Sequence, residues 1–128
     1  NKPLSMIMLD IDFFKKINDT HGHLVGDDVL VLMCNLIKNS IRESDYLMRW
    51  GGEEFLILTP EIDLDAAVKL AEKLRILMEK NVFNTAGQVT ISLSVVQKND
   101  GELLENLLKR LDNLLYDSKR SGRNKTSF

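Results

Sequence analysis

The run Leu4 to Ile11 is almost continuously apolar, the pattern of a strand buried on both faces. Phe13, Phe14 and Ile17 then recur at helical spacing and predict a short inward-packed helix over 13–19. Glycines at 22 and 26 bracket a turn into a longer helix reaching about Ile41, with Val29, Leu32, Met33, Leu36 and Ile37 as its buried stripe. Two apolar runs follow, Tyr46 to Trp50 and Phe55 to Thr59, the second stopping at Pro60. Asp63 is placed to N-cap a helix from Leu64 to about Lys80, whose inward positions are Ala67, Leu70, Ala71, Leu74 and Met78. Asn84 to Gly87 reads as a turn and Gln88 to Val96 as a strand. Asn99-Asp100-Gly101 opens a last helix from Glu102 to about Ser121, with leucines at 103, 104, 107, 108, 111, 114 and 115. The predicted order is β-α-α-β-β-α-β-α.

The stretch Arg49-Trp50-Gly51-Gly52-Glu53-Glu54-Phe55 breaks this regularity. Gly-Gly between apolar runs predicts a two-residue hairpin turn with φ > 0 at both glycines. That register sets Trp50 opposite Glu53 and Arg49 opposite Glu54, sends the two glutamates to opposite faces, and pairs Glu54 with Arg49. Glu53 is left without a local partner at a hairpin tip. Such a carboxylate suits a metal ligand or a base, and equally a solubilising charge.

Composition narrows the setting. Apolar residues make up 44% of the 128 and charged residues 28%, ordinary for one globular domain with a real core. The net charge of −2 gives no reason to expect nucleic acid or an anionic membrane as partner. No run approaches the ~20 apolar residues of a membrane span, so no membrane insertion is expected, and a cytoplasmic location is the default expectation. Cys34, the single cysteine, excludes an internal disulfide framework and fits a small core residue.

Charged residues at element ends supply the candidate chemistry. Asp10 and Asp12 share a face where a buried strand ends, which is costly without a cation or water to meet them. Hard carboxylate oxygens suit magnesium. The free N–H groups opening the next helix make a phosphate site possible beside Asp10, with Lys15 or Lys16 as added charge. His21 and His23 have no partners at zinc-ligand spacing. Arg42 and Asp45 fit a surface ion pair. Lys119 and Arg123 fit either cations at a helix C-terminus or an i, i+4 grip on a polyphosphate.

In order, Asp-Ile-Asp-Phe-Phe-Lys-Lys-Ile-Asn-Asp (10–19), Gly-His-Leu-Val-Gly-Asp (22–27), Arg-Glu-Ser-Asp (42–45), Arg-Trp-Gly-Gly-Glu-Glu-Phe (49–55), Thr-Ile-Ser (90–92) and Tyr-Asp-Ser-Lys-Arg-Ser-Gly-Arg-Asn (116–124) resemble a GGDEF domain, the catalytic domain of bacterial diguanylate cyclases. The resemblance implies an α+β fold: a central, mostly antiparallel five-stranded sheet flanked by helices, similar to the palm of class III nucleotide cyclases. It implies condensation of two GTP into cyclic di-GMP with loss of two pyrophosphates, across two facing copies of the domain. Two Mg2+ or Mn2+ ions would assist in each active site.

Position by position, the resemblance makes Asp10, the Ile11 carbonyl, Glu53 and Glu54 the metal site, with Glu53 also the base. It puts the Phe13 and Phe14 backbone N–H groups and Lys15 on phosphate, Asn18, His23 and Asp27 around guanine, and Lys119 and Arg123 on the β- and γ-phosphates. An aspartate accepts from guanine N1–H and N2–H₂, a donor pair adenine lacks, so Asp27 argues for GTP. Arg42 and Asp45 match the family's inhibitory site for cyclic di-GMP.

The chain departs from the family at Ser94, where a glycine is usual and crowding of a neighbouring strand is expected. It departs also at Leu111-Asp112, where Ala-Asp is usual. Residues 1–128 are expected to form one catalytic domain without the family's lead-in helix or any sensor domain. The competing readings are a catalytically inactive cyclic di-GMP receptor and a cyclase making a mixed purine dinucleotide. Asp10, Lys15, Glu53 and Glu54 argue against the first, and Asp27 against the second.

Overall fold

A computed structural model describes residues 2–128. In order it contains β1 (Leu4–Ile11), α1 (Phe14–His21), α2 (His23–Lys38), β2 (Tyr46–Arg49), β3 (Glu54–Pro60), α3 (Leu64–Lys80), β4 (Val82–Phe83), β5 (Gly87–Gln88), β6 (Ile91–Gln97), α4 (Leu104–Arg120) and β7 (Thr126–Ser127). Five strands form one sheet in the order β2-β3-β1-β6-β7, and β4 pairs with β5 in a separate small hairpin. All pairings are antiparallel except β6 with β7. This is the expected α+β fold, a mostly antiparallel five-stranded sheet flanked by helices.

β1 is central and sorts its side chains by strand alternation. Ile7, Leu9 and Ile11 enter the larger core with Val29, Met33 and Ile37 of α2 and Ala67, Ala71, Leu74 and Met78 of α3. Met6 and Met8 point the other way and meet Leu107, Leu111 and Leu115 of α4. Asp10 continues that second row. The sheet therefore delivers one acid to the α4 side at the end of its middle strand.

Several boundaries shift from expectation for local reasons. Asp63 caps α3 as expected, its Oδ1 accepting from the Ala66 N–H at 2.9 Å. α2 begins at His23, directly after Gly22 at φ 91, so Asp27 and Asp28 fall in its second turn. Leu30 is buried in place of Leu32, which is 41% exposed, and α2 ends at Lys38. The expected strand from Gln88 is cut: Gly87, at φ 74, closes the β4–β5 hairpin, and β6 starts at Ile91. Leu103 and Leu104 lie exposed at the start of α4.

Ser94 does not distort the sheet. It pairs with Met8 on one side and Ser127 on the other in unbroken register. Its hydroxyl is buried with no hydrogen-bond partner among the described residues. No helix among the described residues is long and apolar enough to cross a membrane.

Candidate active site

Asp10 is 3% exposed at the end of β1. The Lys119 ammonium from α4 sits on its Oδ2, while its Oδ1 is buried without a hydrogen-bond partner among the described residues. The Asp10 carboxyl is raised to about 6: burial pushes it up first, Lys119 pulls it back down, and the neighbouring Glu53 carboxyl pushes it up again. Glu54 lies directly across from Asp10 in the β1–β3 ladder. Its own carboxyl is raised by partial burial first, then by the charges of Asp10 and Asp112, against the pull of Lys119. Asp10 thus has two glutamates and one ammonium as its charged neighbours.

This arrangement corrects the expected hairpin. Arg49 pairs with Phe55, so the loop spans 51–53 and Glu54 comes opposite Trp50. The N–H groups of Trp50 and Gly51 both donate to the Glu54 carbonyl, at 2.8 and 3.1 Å, two residues facing one as in a bulge. Neither Gly51 nor Gly52 adopts positive φ. Arg49 does not pair with Glu54. Its Nε donates to the carbonyls of Gly51 (3.2 Å) and Gly52 (3.1 Å), holding the wider loop from within. Glu53 is consequently a loop residue, free of strand alternation, and both glutamates approach Asp10.

Among the described residues no three His, Cys, Asp or Glu side chains converge as a ready cation cage. The donors present still suit a hard divalent cation that keeps several waters. Asp10 offers an unpartnered buried oxygen, Glu53 sits beside it, and the negative charge of the cluster exceeds that of its one lysine.

α1 and α2 form the neighbouring wall. Phe14 is buried, while Phe13 is 59% exposed and left-handed at φ 56, at the cap of α1. Asn18 packs against Gly26: a Cβ there would stand 1.8 Å from Asn18 Oδ1, an atom that is buried and unpartnered. Gly26 is therefore a point of close approach between α1 and α2. His23 and Asp27, four apart on α2, share an exposed helix face beside this contact. Lys15 points outward with its Nζ 3.0 Å from Asp19 Oδ2.

Asp12 carries a role the sequence did not disclose. It needs no cation, because the hydroxyls of Ser92 (2.6 Å) and Thr90 (2.7 Å) and the Asn124 N–H (3.0 Å) all donate to it. Arg123 and Asn124 are both left-handed, at φ 63 and 48, and the Arg123 guanidinium lies 4.5 Å from the centroid of the Phe13 ring. The hydroxyls at 90 and 92 were the only sequence signal, and they are 78 and 80 positions away from Asp12.

Arg42 and Asp45 occupy the other end of the β2–β3 hairpin, about 20 Å from Glu54 at the usual strand rise. They close on each other. Arg42 Nη2 donates to Asp45 Oδ1 and to the Pro60 carbonyl, both at 2.7 Å, and the Arg42 N–H donates to Asp45 Oδ2 at 2.8 Å.

The fold and the acids at the end of its central strand define a palm-like domain of the nucleotide cyclase type. A family model described as diguanylate cyclase, GGDEF domain, matches residues 1–125. The chain is 39% identical over 121 residues to the diguanylate cyclase DgcM of Escherichia coli K12, covering 94% of this chain and 30% of that protein. It is 41% identical over 129 residues to diguanylate cyclase A of Treponema denticola, covering 98% and 35%. The chain thus spans about a third of the length of these curated relatives.

Among solved structures, the GGDEF domain of DgcB from Caulobacter crescentus in complex with c-di-GMP superposes with a TM-score of 0.93 at 30% identity, covering 98% of this chain and 77% of that one. The active GGEEF domain of a diguanylate cyclase from Vibrio cholerae gives 0.89 at 33% identity, covering 98% and 82%. The chain belongs to the GGDEF domain family of diguanylate cyclases.

Proposed function

We propose that this domain condenses two GTP into cyclic di-GMP, each of two facing copies holding one substrate. The observation that carries the proposal is the placement of Asp10, Glu53 and Glu54 together beside an open glycine loop at the end of the central strand. Asp10, the Ile11 carbonyl and Glu53 would hold Mg2+ or Mn2+, two ions per site, with Glu54 in support. Bound there, the metal supplies Lewis-acid charge to the phosphate oxygens. Glu53 takes the proton of one ribose 3′-hydroxyl. That oxygen bonds to the α-phosphorus of the other GTP as the bond to pyrophosphate breaks, and the same exchange in the opposite direction closes the ring.

The remaining residues position substrate, which is most of what phosphoryl transfer requires. Asn18 and Asp27 read guanine, with His23 beside them. The Phe13 and Phe14 N–H groups, Lys15, Lys119 and Arg123 take the phosphates. Lys119, which here holds Asp10, would turn from it to reach them. Arg42 and Asp45 form the site at which cyclic di-GMP restrains the domain; the cyclic di-GMP complex of the Caulobacter relative supports the ligand class.

Incubation with GTP, ATP and magnesium, with products separated by chromatography, tests the proposal. Cyclic di-GMP alone is expected, at a rate rising more than linearly with protein concentration because the site needs two copies. Glu53→Gln removes turnover. Absence of cyclic di-GMP at high protein concentration, or full activity of Glu53→Gln, overturns the proposal.

A further inference from the structure

One carboxylate outside the proposed chemistry joins two of its parts. Asp12 is 5% exposed, and every polar partner it has is a neutral donor: the Ser92 hydroxyl on Oδ1, and the Thr90 hydroxyl and Asn124 N–H on Oδ2. Its own N–H donates to the Thr90 carbonyl at 2.9 Å. The residue after it, Phe13, the residue whose N–H it accepts, Asn124, and that residue's neighbour Arg123 are left-handed without being glycine. Such backbone persists only where its surroundings over-determine it. Here the strained segments converge on the same carboxylate, and the Arg123 guanidinium closes the circuit by stacking on the Phe13 ring.

We infer that Asp12 is a positioning residue for the terminal phosphates of the substrate. It holds the turn that presents the Phe13 N–H and the loop that presents Arg123 in one fixed relation. This rests on the assignment of those two groups to phosphate made above. Asp12 itself touches no substrate. A fastener of the core would support all parts of the nucleotide alike, whereas a positioner of these two groups acts only on the phosphates beyond the first.

The test compares binding of 3′-deoxy-GTP, which lacks the attacking hydroxyl, with binding of 3′-deoxy-GMP, by calorimetry with magnesium. Wild type is expected to prefer the triphosphate. In Asp12→Asn the amide oxygen still accepts, but the amide NH₂ cannot accept from a backbone N–H. Triphosphate affinity should fall about tenfold, the scale of one lost hydrogen bond to a charged group, while monophosphate affinity changes less than about twofold. Parallel loss of both ligands, or no loss of either, overturns the inference. A wild type that binds the two ligands equally sinks the phosphate assignment itself, and does so before any variant is made. If Asp12→Asn does not fold, Thr90→Val removes one donor at nearly constant shape. A smaller loss confined to the triphosphate supports the inference, and an unchanged preference overturns it.

Discussion

Asp10 on β1 and Lys119 on α4 stand 109 positions apart in the chain and meet as an ion pair on the α4 face of the sheet. The lysine side chain is 34% exposed and the aspartate is buried. Lys119→Ala leaves Asp10 and its neighbour Glu54 without their cation. Stability should drop by about 1–2 kcal/mol, less than for a fully buried pair because water reaches the lysine end. Magnesium should restore more of the thermal midpoint in the variant than it adds to wild type. Equal magnesium shifts in both proteins would remove the cluster as a metal site.

Gly26 gives a second prediction. Alanine in a helix is favoured over glycine by about 1 kcal/mol. A Cβ 1.8 Å from Asn18 Oδ1 cannot be accommodated without moving that side chain, an overpacking cost of about 1–3 kcal/mol. The clash should win narrowly, with a net loss of about 1 kcal/mol by thermal unfolding. Guanine nucleotide binding should suffer far more, since Asn18 is displaced. A Gly26→Ala protein with wild-type nucleotide affinity would show that Asn18 does not read the base.

The buried, unpartnered hydroxyl of Ser94 sets a third. Ser94→Ala keeps the packed Cβ and removes an orphaned polar group, so stability should rise by about 1 kcal/mol and the melting temperature by about 3–5 °C. A lowered midpoint would mean that the hydroxyl is satisfied in solution.

A fourth concerns acid. Arg110 Nε and Nη2 donate to Glu102 at 2.8 and 2.7 Å, and Nη2 also reaches the Gln97 carbonyl at 2.8 Å, tying α4 to the end of β6. The guanidinium holds the Glu102 carboxyl down at about 2, against 4.5 ordinarily. The folded value lies below the unfolded one, so this pair stabilises fully above pH 4.5 and is lost as pH falls towards 2. Wild type should lose its thermal midpoint more steeply over that window than Glu102→Gln. Superimposable curves would leave the clamp without a role.

The sequence carried the helix stripes and the central strand because periodicity is a local signal. α3 appears from Leu64 to Lys80 with its Asp63 cap, as expected. The hairpin was misplaced because its loop is set by Arg49 bonding back to glycine carbonyls, a contact that no turn-residue rule encodes. Glu54 was accordingly assigned to the wrong partner. β7 escaped notice because a two-residue strand has no period, and it exists only by pairing with Leu93 and Ser94. Asp12 was grouped with Asp10 by alternation, and the distant hydroxyls that separate their roles are visible only once β6 lies beside β1.

The loop at 51–53 has a further consequence. An added Cβ at Gly52 would meet nothing within 4 Å, and at Gly51 only the Glu54 Cβ at 3.8 Å. Neither backbone demands glycine, and neither space within the chain forbids a side chain. Folding therefore places almost no constraint on this pair, and alanine there should leave the melting curve where it is. A reason for glycine at both positions must lie outside the chain, in what approaches the loop. Under the function proposed above, these two positions answer to what the loop must admit and not to architecture, so a substitution there would cost activity while the domain stayed folded.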